Sequence, residues 1–137
     1  MTIVSPNTRH NPFPVSAGFE SIYAHGVEVP QASRRLLISG QIGLTQDGSL
    51  LNGFRAQCEQ AIANLMTVLA SAHMDKIDLV KLVFLLTRAS DLEELGTIRR
   101  QLLPVETAVT TLVVVQLARP EFLVEIEGVA AQSGSSR

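Results

Sequence analysis

The chain has 137 residues and a formal net charge of −2, with eleven basic and thirteen acidic side chains. This length suits one domain, and the balanced charge, without a cluster of lysine and arginine, argues against nucleic acid or an anionic membrane as a partner. The single cysteine excludes an internal disulfide, the three scattered histidines give no metal-ligand spacing, and no apolar run is long enough to span a membrane.

The two ends of the chain are rich in residues that interrupt regular structure. Residues 1–18 contain three prolines and Gly18, which predicts an irregular N-terminal arm without the apolar core of a secretory signal. The sequence QSGSSR at 132–137 predicts a flexible tail. The stretch between them predicts a single domain at 19–131. The single cysteine and the N-terminus without a secretory signal predict a cytoplasmic protein.

The first half of this domain combines strand and helix patterns. Two stretches rich in β-branched residues, 20–29 and 35–42, predict two strands joined by a turn, and the Asp-Gly pair in TQDGS (45–49) predicts a tight turn after them. Apolar residues recur every three or four positions over 54–72, which predicts an amphipathic helix. Cys58 lies on the apolar stripe of that helix, so packing is its expected role.

The second half predicts one more helix and three more strands. The nearly continuous apolar run at 78–87 predicts a strand that is buried on both faces. Ser90 and Glu93 have the spacing of a capping box, which predicts the start of a second amphipathic helix. Strands are predicted at 109–117 and 123–130. The predicted order is ββαβαββ, an α+β fold with one mixed sheet.

Two helices cannot cover both faces of such a sheet. Right-handed crossovers place both helices on the same face, so the other face is left bare. Residues 112–115 are all apolar and therefore need cover on both faces of their strand. The chain is expected to form a closed oligomer whose bare faces pack together, with clefts for small ligands near the interfaces.

The last strand carries two acidic residues on one face. Glu125 and Glu127 are two positions apart and share a side, opposite the apolar Val124, Ile126 and Ala130. The apolar side is expected to lie under the helices, which leaves the glutamates on the inter-subunit side. Two interpretations stay open: the glutamates are solvated or form ion pairs there, or one of them positions a water molecule or takes a proton.

Five segments of the chain follow one another as in a known protein family. They are IYAHGVEV (22–29), LLISGQIGL (36–44), LLNGFRAQCEQAIANLMTVLASA (50–72), LVKLVFLLTRASDLEEL (79–95) and FLVEIEGVA (122–130). Together they resemble the Rid family, also called YjgF or the endoribonuclease L-PSP family, over residues 20–131. The resemblance implies a chorismate-mutase-like subunit in a homotrimer, with the sheets inside, the helices outside and ligand clefts between subunits.

The resemblance also implies an activity and a set of cleft residues. The best-known members hydrolyse enamines and imines to keto acids and ammonia without a cofactor. The cleft residues implied are Tyr23, Ser39, Gly40, Gln41, Ile42, Val109 and Glu125. Tyr23 would help to close the cleft and Glu125 would orient the water. Val109 replaces the arginine that grips the substrate carboxylate in the family, and Gly96 replaces an asparagine of the second helix.

Three hypotheses about function follow from this pattern. Because one charge-assisted contact is worth about 1.5 to 3 kcal/mol, a standard 2-iminobutanoate or 2-iminopropanoate deaminase is not expected without the arginine. The first hypothesis is a homotrimer that binds a small, less anionic metabolite, with a cofactor-independent hydrolase activity left open. The second is an imine deaminase in which Arg88, Arg99 or Arg119 holds the carboxylate, with His25 as a candidate acid or base. The third is a non-catalytic trimeric binding or regulatory protein.

Overall fold

The computed structural model describes residues 7–12, 23–104 and 107–133, except for the side chains of 32, 33 and 133. The elements follow in this order: β1 (Thr8–His10), β2 (Gly26–Glu28), β3 (Ala32–Gln41), α1 (Phe54–Ser71), β4 (Leu79–Leu86), α2 (Leu92–Leu102), β5 (Ala108–Val113) and β6 (Val124–Ser133). Short 3-10 turns, Lys76–Asp78 and Ala89–Asp91, lead into β4 and α2. Residues 20–22 of the first predicted strand and 134–137 of the predicted tail lie outside the described residues.

The long strands form one mixed sheet. Its order is β3-β6-β4-β5, in which β6 is antiparallel to both of its neighbours and β5 runs parallel to β4. Both helices contribute buried residues to a core on one face of this sheet. The predicted α+β class, with two helices on one face of a mixed sheet, is therefore confirmed.

Strand pairing differs from the prediction at the start of the chain. The strands predicted at 20–29 and 35–42 do not pair with each other as neighbours joined by a turn, because β3 pairs with β6. β2 instead pairs with β1, which lies inside the arm predicted to be irregular. The exposed His10 Nε2 and Glu28 Oε1, 2.9 Å apart, join these two strands. Backbone groups of a strand need a partner, and a local apolar pattern does not specify which strand supplies it.

Two predicted boundaries also need correction. The capping box of Ser90 and Glu93 does not form, because Ser90 belongs to the 3-10 turn and the N-cap residue is Asp91, without a capping side-chain bond. Asp91 accepts two hydrogen bonds from Arg88 instead. At the other end, β6 continues through Ser133, so the first two residues of the predicted tail belong to a strand.

The two faces of the sheet have different surroundings. On the helix side, the core includes Phe84, Val124 and Ile126, which are fully buried. On the other face Leu37 of β3 is 77% exposed and Leu112 of β5 is 48% exposed. The single chain thus leaves one face of the sheet bare, as the sequence predicted.

Polar side chains of α1 hold the connections near the ends of β3 and β6. Gln57 is buried; its Oε1 accepts a hydrogen bond from Leu123 N (2.9 Å) and its Nε2 donates to Glu121 O (3.2 Å). Asn64 Nδ2 donates to Ile42 O and to Leu44 O, at 3.0 Å each. The chain after β3 and the chain before β6 are therefore fixed to the same helix.

Gly43 lies so close to α1 that a side chain does not fit. A Cβ atom at this position would be 2.6 Å from Gln57 Cα. Gly43→Ala is expected to lower the free energy of unfolding by about 1 to 3 kcal/mol, because the loop must move away from the helix. Urea titrations at a fixed protein concentration measure the change.

Gly96→Ala is the matched control for this prediction. Its Cβ would meet only the end of the Arg100 side chain, at 3.3 Å, and alanine inside a helix is favoured over glycine by about 1 kcal/mol. Its urea midpoint should therefore stay the same or rise. A Gly43→Ala midpoint equal to that of the unmodified protein would contradict the tight packing of this loop.

Candidate functional site

A β-bulge shapes the end of β3. Ile38 pairs with Gly128 and Gln41 with Ile126, so three steps along β3 match two steps along β6. The extra residue lies in the segment that contains Gly40. Bulges bend a strand and re-aim its side chains, and they are frequent beside active sites.

The carboxylate of Glu125 lies directly against the backbone of Gly40. A Cβ atom on Gly40 would overlap this carboxylate and would be 2.8 Å from Glu125 Cγ. Only glycine leaves this space open. The contact brings together the end of β3 and the glutamate, which the family resemblance had placed in one cleft. Within residues 39–42, Gln41 Nε2 donates to Ser39 O (3.0 Å).

Glu125 faces the bare side of the sheet. Its register partner on β4 is Leu85, and that of Glu127 is Val83, while the alternate residues of β6 point into the core. The predicted face of both glutamates is therefore confirmed. Glu125 is partly buried and Glu127 is exposed. Within the ranges that the structure describes, neither carboxylate forms an ion pair.

A second group of predicted residues gathers at the start of β5. Ala24 N donates to Thr107 O (3.1 Å), and Ala24 bridges Ala108 in parallel register. This contact places Tyr23 and His25 beside the strand, and their rings meet edge to face with centroids 5.5 Å apart. The edge contact orients the phenol ring.

Arg99 of α2 extends over the same part of the sheet. Its Cζ lies 5.0 Å from the centroid of the buried Phe84 ring. Burial lowers the pKa of Arg99, and the neighbouring Tyr23 acts in the opposite direction. A partly buried guanidinium therefore lies near the phenol, on the helix side of the β5 edge.

Val109 lies on the helix side of the sheet as well. Its register partner is Leu82, and it packs against the hydrophobic core. Glu125 is on the opposite face, so a single chain does not bring Val109 and Glu125 together. The hypothesis that Val109 and Glu125 line one cleft therefore requires a second copy of the chain.

The other candidate side chains have partners within the chain. Arg88 binds Asp91 in a bidentate pair (2.8 and 3.1 Å), and this hydrogen bonding raises the pKa of Arg88. Arg119 pairs with Glu121 (2.6 Å). Cys58 is fully buried, and burial, with a smaller contribution from Glu59, raises the pKa of its thiol to about 12. Its predicted packing role is confirmed.

Other features lie away from these groups. In the part of the chain that the structure describes, no three histidine, cysteine or acidic side chains are arranged to hold a metal ion. None of the described helices is both long and apolar enough to cross a membrane.

A groove of about 300 Å³ opens on the helix surface and shares no residue with the predicted cleft. It is lined by Glu59, Ile62, Ala63, Met66, Lys76 and Leu102.

Comparison with known proteins agrees with the resemblance in the sequence. Residues 18–132 match the family model described as Endoribonuclease L-PSP. No curated protein sequence is significantly similar to the chain.

Three solved structures show the same fold. The Rid-family protein YyfB of Yersinia pestis is 28% identical, with a TM-score of 0.73, and the match covers 92% of this chain and 98% of that one. RidA of an Antarctic Psychrobacter species is 29% identical, with a TM-score of 0.69 and coverage of 87% and 93%. A putative endoribonuclease of Thermotoga maritima is 23% identical, with a TM-score of 0.69 and coverage of 98% and 100%, and supports the fold alone.

Proposed function

Because the chain belongs to the endoribonuclease L-PSP family, which includes the Rid proteins, we propose that it binds a small metabolite in clefts between subunits and hydrolyses an imine there. The observation that carries this proposal is the Glu125 carboxylate, held against Gly40 on the bare face of the sheet. We call residues 39–42 and Glu125 the reactive half-site. We call Tyr23, His25 and Arg99 the edge half-site.

The two half-sites need different subunits to meet. The reactive half-site is on the bare face, whereas Arg99 comes from a helix on the opposite face and lies over Phe84 of β4, the strand next to β6. Because the sheet itself lies between the two half-sites, a small ligand bound to one chain does not contact both. We infer that the edge half-site of one subunit completes the reactive half-site of the next.

Exposed apolar surface supports this assembly. Leu37 and Leu112 lie on the bare face, and Val115 just beyond β5 is fully exposed. β5 is also an edge strand, with backbone groups available for contacts to another chain. A closed cyclic oligomer buries this surface, and the homotrimer implied by the sequence resemblance is the form that we propose.

The proposed chemistry uses Glu125 as the base. Its carboxylate accepts a hydrogen bond from a water molecule and takes a proton as the oxygen attacks the imine carbon. As the C–O bond forms and the C=N π bond breaks, Glu125 returns this proton to the nitrogen and gives a neutral carbinolamine. Glu125 then takes the hydroxyl proton and delivers it to the amino nitrogen as the C–N bond breaks, so that a carbonyl compound and ammonia leave. Acid–base catalysis by the protein chain alone accounts for this sequence of steps.

Glu125→Gln tests this role. The amide keeps the size of the side chain but cannot take a proton, so the rate of ammonia release from a 2-imino acid generated in situ is expected to fall by about a hundredfold. Glu127→Gln is the matched control, because Glu127 is two residues away on the same face but is exposed. Its rate should stay close to that of the unmodified protein.

Light scattering should show the same oligomer for both variants. Equal rates for the Glu125→Gln variant and the unmodified protein would contradict the proposed base. If the unmodified protein does not accelerate hydrolysis, the hydrolase proposal is wrong, and metabolite binding without catalysis, the third hypothesis from the sequence, becomes the better explanation.

A further inference from the structure

The first two strands of the chain form a small sheet of their own. Among the described residues, β1 pairs only with β2, and this pair is separate from the four-stranded sheet. No described residue of either strand belongs to the hydrophobic core. β2 begins directly after residues 23–25, which carry two side chains of the edge half-site. The small sheet therefore adjoins the edge half-site without being part of the core.

Asn11 extends the contact between β1 and β2 beyond their last backbone pair. That pair is His10 with Gly26, and the residue after Asn11 is Pro12, which has no backbone N–H to donate to a further ladder bond. The side-chain Oδ1 of Asn11 accepts a hydrogen bond from His25 N (2.9 Å) in a partly buried position. A backbone N–H that is withdrawn from water needs such a partner.

Two successive backbone N–H groups next to Tyr23 are held by two different segments of the chain. Ala24 N donates to Thr107 O, just before β5 (3.1 Å), and His25 N donates to Asn11, just after β1 (2.9 Å). Together these bonds fix the peptide between Ala24 and His25 relative to the edge of the large sheet. Because the Tyr23 and His25 rings pack edge to face, the direction of the phenol depends on both bonds.

We propose that Asn11 is a positioning residue of the cleft, whose side-chain amide holds residues 23–25 against β5 and so keeps the phenol of Tyr23 at the bound ligand. This inference rests on the proposed inter-subunit cleft and adds a residue that acts through Tyr23. Since Asn11 and β1 lie outside the core, the loss of this side chain should displace Tyr23 without lowering the stability of the fold.

The fluorescence of the protein reports on Tyr23 alone. The chain has one tyrosine and no tryptophan, so its near-ultraviolet emission comes from this phenol. In the Asn11→Ala variant, the anisotropy of the emission should fall and acrylamide should quench it more strongly, because a phenol released from its contacts moves faster and is more exposed. Asn11→Asp keeps an oxygen acceptor at the same position and should restore both signals.

The kinetics of imine hydrolysis give a second readout. In the proposed cleft Tyr23 closes over the bound ligand, whereas Glu125 takes the proton. Loss of the Asn11 hydrogen bond should therefore weaken the binding of substrate and transition state alike, so that the KM for 2-iminobutanoate generated in situ rises roughly two- to tenfold while kcat changes less than about twofold. Glu125→Gln should lower kcat instead, and Asn11→Asp should restore the KM.

His10→Ala is the matched control. His10 is the residue before Asn11, and its ring forms an exposed contact with Glu28 (2.9 Å). The backbone pairs of β1 with β2 do not depend on that ring, so the emission of Tyr23 and the KM should both stay the same. The urea midpoints of all three variants should match that of the unmodified protein, and light scattering should give the same oligomer.

The outcomes separate this inference from the proposed function. Unchanged quenching in the Asn11→Ala variant, or an equal change in the His10→Ala variant, would overturn the role of Asn11 and leave the cleft proposal standing. A displaced Tyr23 with an unchanged KM would also overturn it, because the phenol would then lie outside the cleft. If the unmodified protein does not hydrolyse the imine, the hydrolase proposal is wrong, whereas a change in Tyr23 emission that Asn11→Asp reverses still supports positioning by Asn11.

Discussion

Leu112→Asp is expected to convert the oligomer into monomers and to abolish imine hydrolysis. Leu112 is 48% exposed on the bare face of β5, where its register partner is Leu85. In the proposed assembly this side chain is buried against another subunit, and a buried unpaired carboxylate costs several kcal/mol. The monomer retains both half-sites but on opposite faces of its sheet, so neither is completed. Light scattering gives the mass, and ammonia release gives the activity.

Leu92→Asp is the control for this change. Leu92 is 43% exposed, close to the value for Leu112, but it is the first residue of α2 on the helix side of the sheet. An acidic residue is favourable at a helix N-terminus, so the fold should tolerate it. The mass and the rate should be those of the unmodified protein. Dissociation of the Leu92→Asp variant, or an intact oligomer with aspartate at position 112, would contradict assembly through the bare face.

Two half-sites on different subunits have a further consequence for mixed oligomers. Subunits that carry Arg99→Met retain Glu125, and subunits that carry Glu125→Gln retain Arg99. When the two variants are unfolded, mixed in equal amounts and reassembled, about a quarter of the clefts in a cyclic oligomer combine both intact half-sites. The mixture should recover that share of the activity, whereas a site within one chain would recover none.

Periodicity in the sequence predicted the elements that pack against one core. The helix predicted at 54–72 is α1 (Phe54–Ser71), because apolar residues at helical spacing must share one buried face. The faces of β6 followed from alternation in the same way, so the position of Glu127 on the bare face and the burial of Ile126 could be foreseen. The set of residues that share one face of a helix or strand depends only on their spacing along the chain, so the sequence predicts it.

Contacts between distant segments could not be foreseen from local patterns. β3 pairs with β6, about ninety residues later in the chain, and nothing in the apolar pattern of either strand selects the other. Gln57 lies off the apolar stripe of α1, yet it is buried because its amide satisfies the backbone before β6. The shape of the site depends on such polar contacts, since they hold the loops on either side of it.

In the candidate site, too, the sequence predicted some features and missed those that depend on contacts between distant segments. The resemblance placed Gly40 and Glu125 among the residues of one cleft, and in the structure the two are in contact. The resemblance also aligned Val109 with the family's arginine, but an alignment does not show on which face of the sheet the Val109 side chain lies. The sequence offered Arg88, Arg99 and Arg119 as candidates and favoured Arg88, because only packing distinguishes an arginine over Phe84 from one paired with a neighbouring acid.

Gly40→Ala is expected to reduce imine hydrolysis about as much as Glu125→Gln does, by about a hundredfold. The new Cβ would occupy the space of the Glu125 carboxylate, which must rotate away from β3. The carboxylate then no longer holds the water in line with the imine carbon, and a small misplacement is enough to lose such a rate advantage. Gly26→Ala is the matched control in another strand, because among the described residues its Cβ would meet only His10 Cβ, at 3.9 Å.

A double-mutant cycle shows whether Gly40 acts through Glu125. If the alanine matters only because it displaces the carboxylate, then Gly40→Ala should have little further effect on a chain that already carries Glu125→Gln. The combined loss would then be close to that of either single variant, far below the product of the two. Independent, multiplicative losses would mean that residues 39–42 contribute to hydrolysis by contacting the ligand themselves. Full activity of Gly40→Ala would instead show that the carboxylate works from a position away from the end of β3.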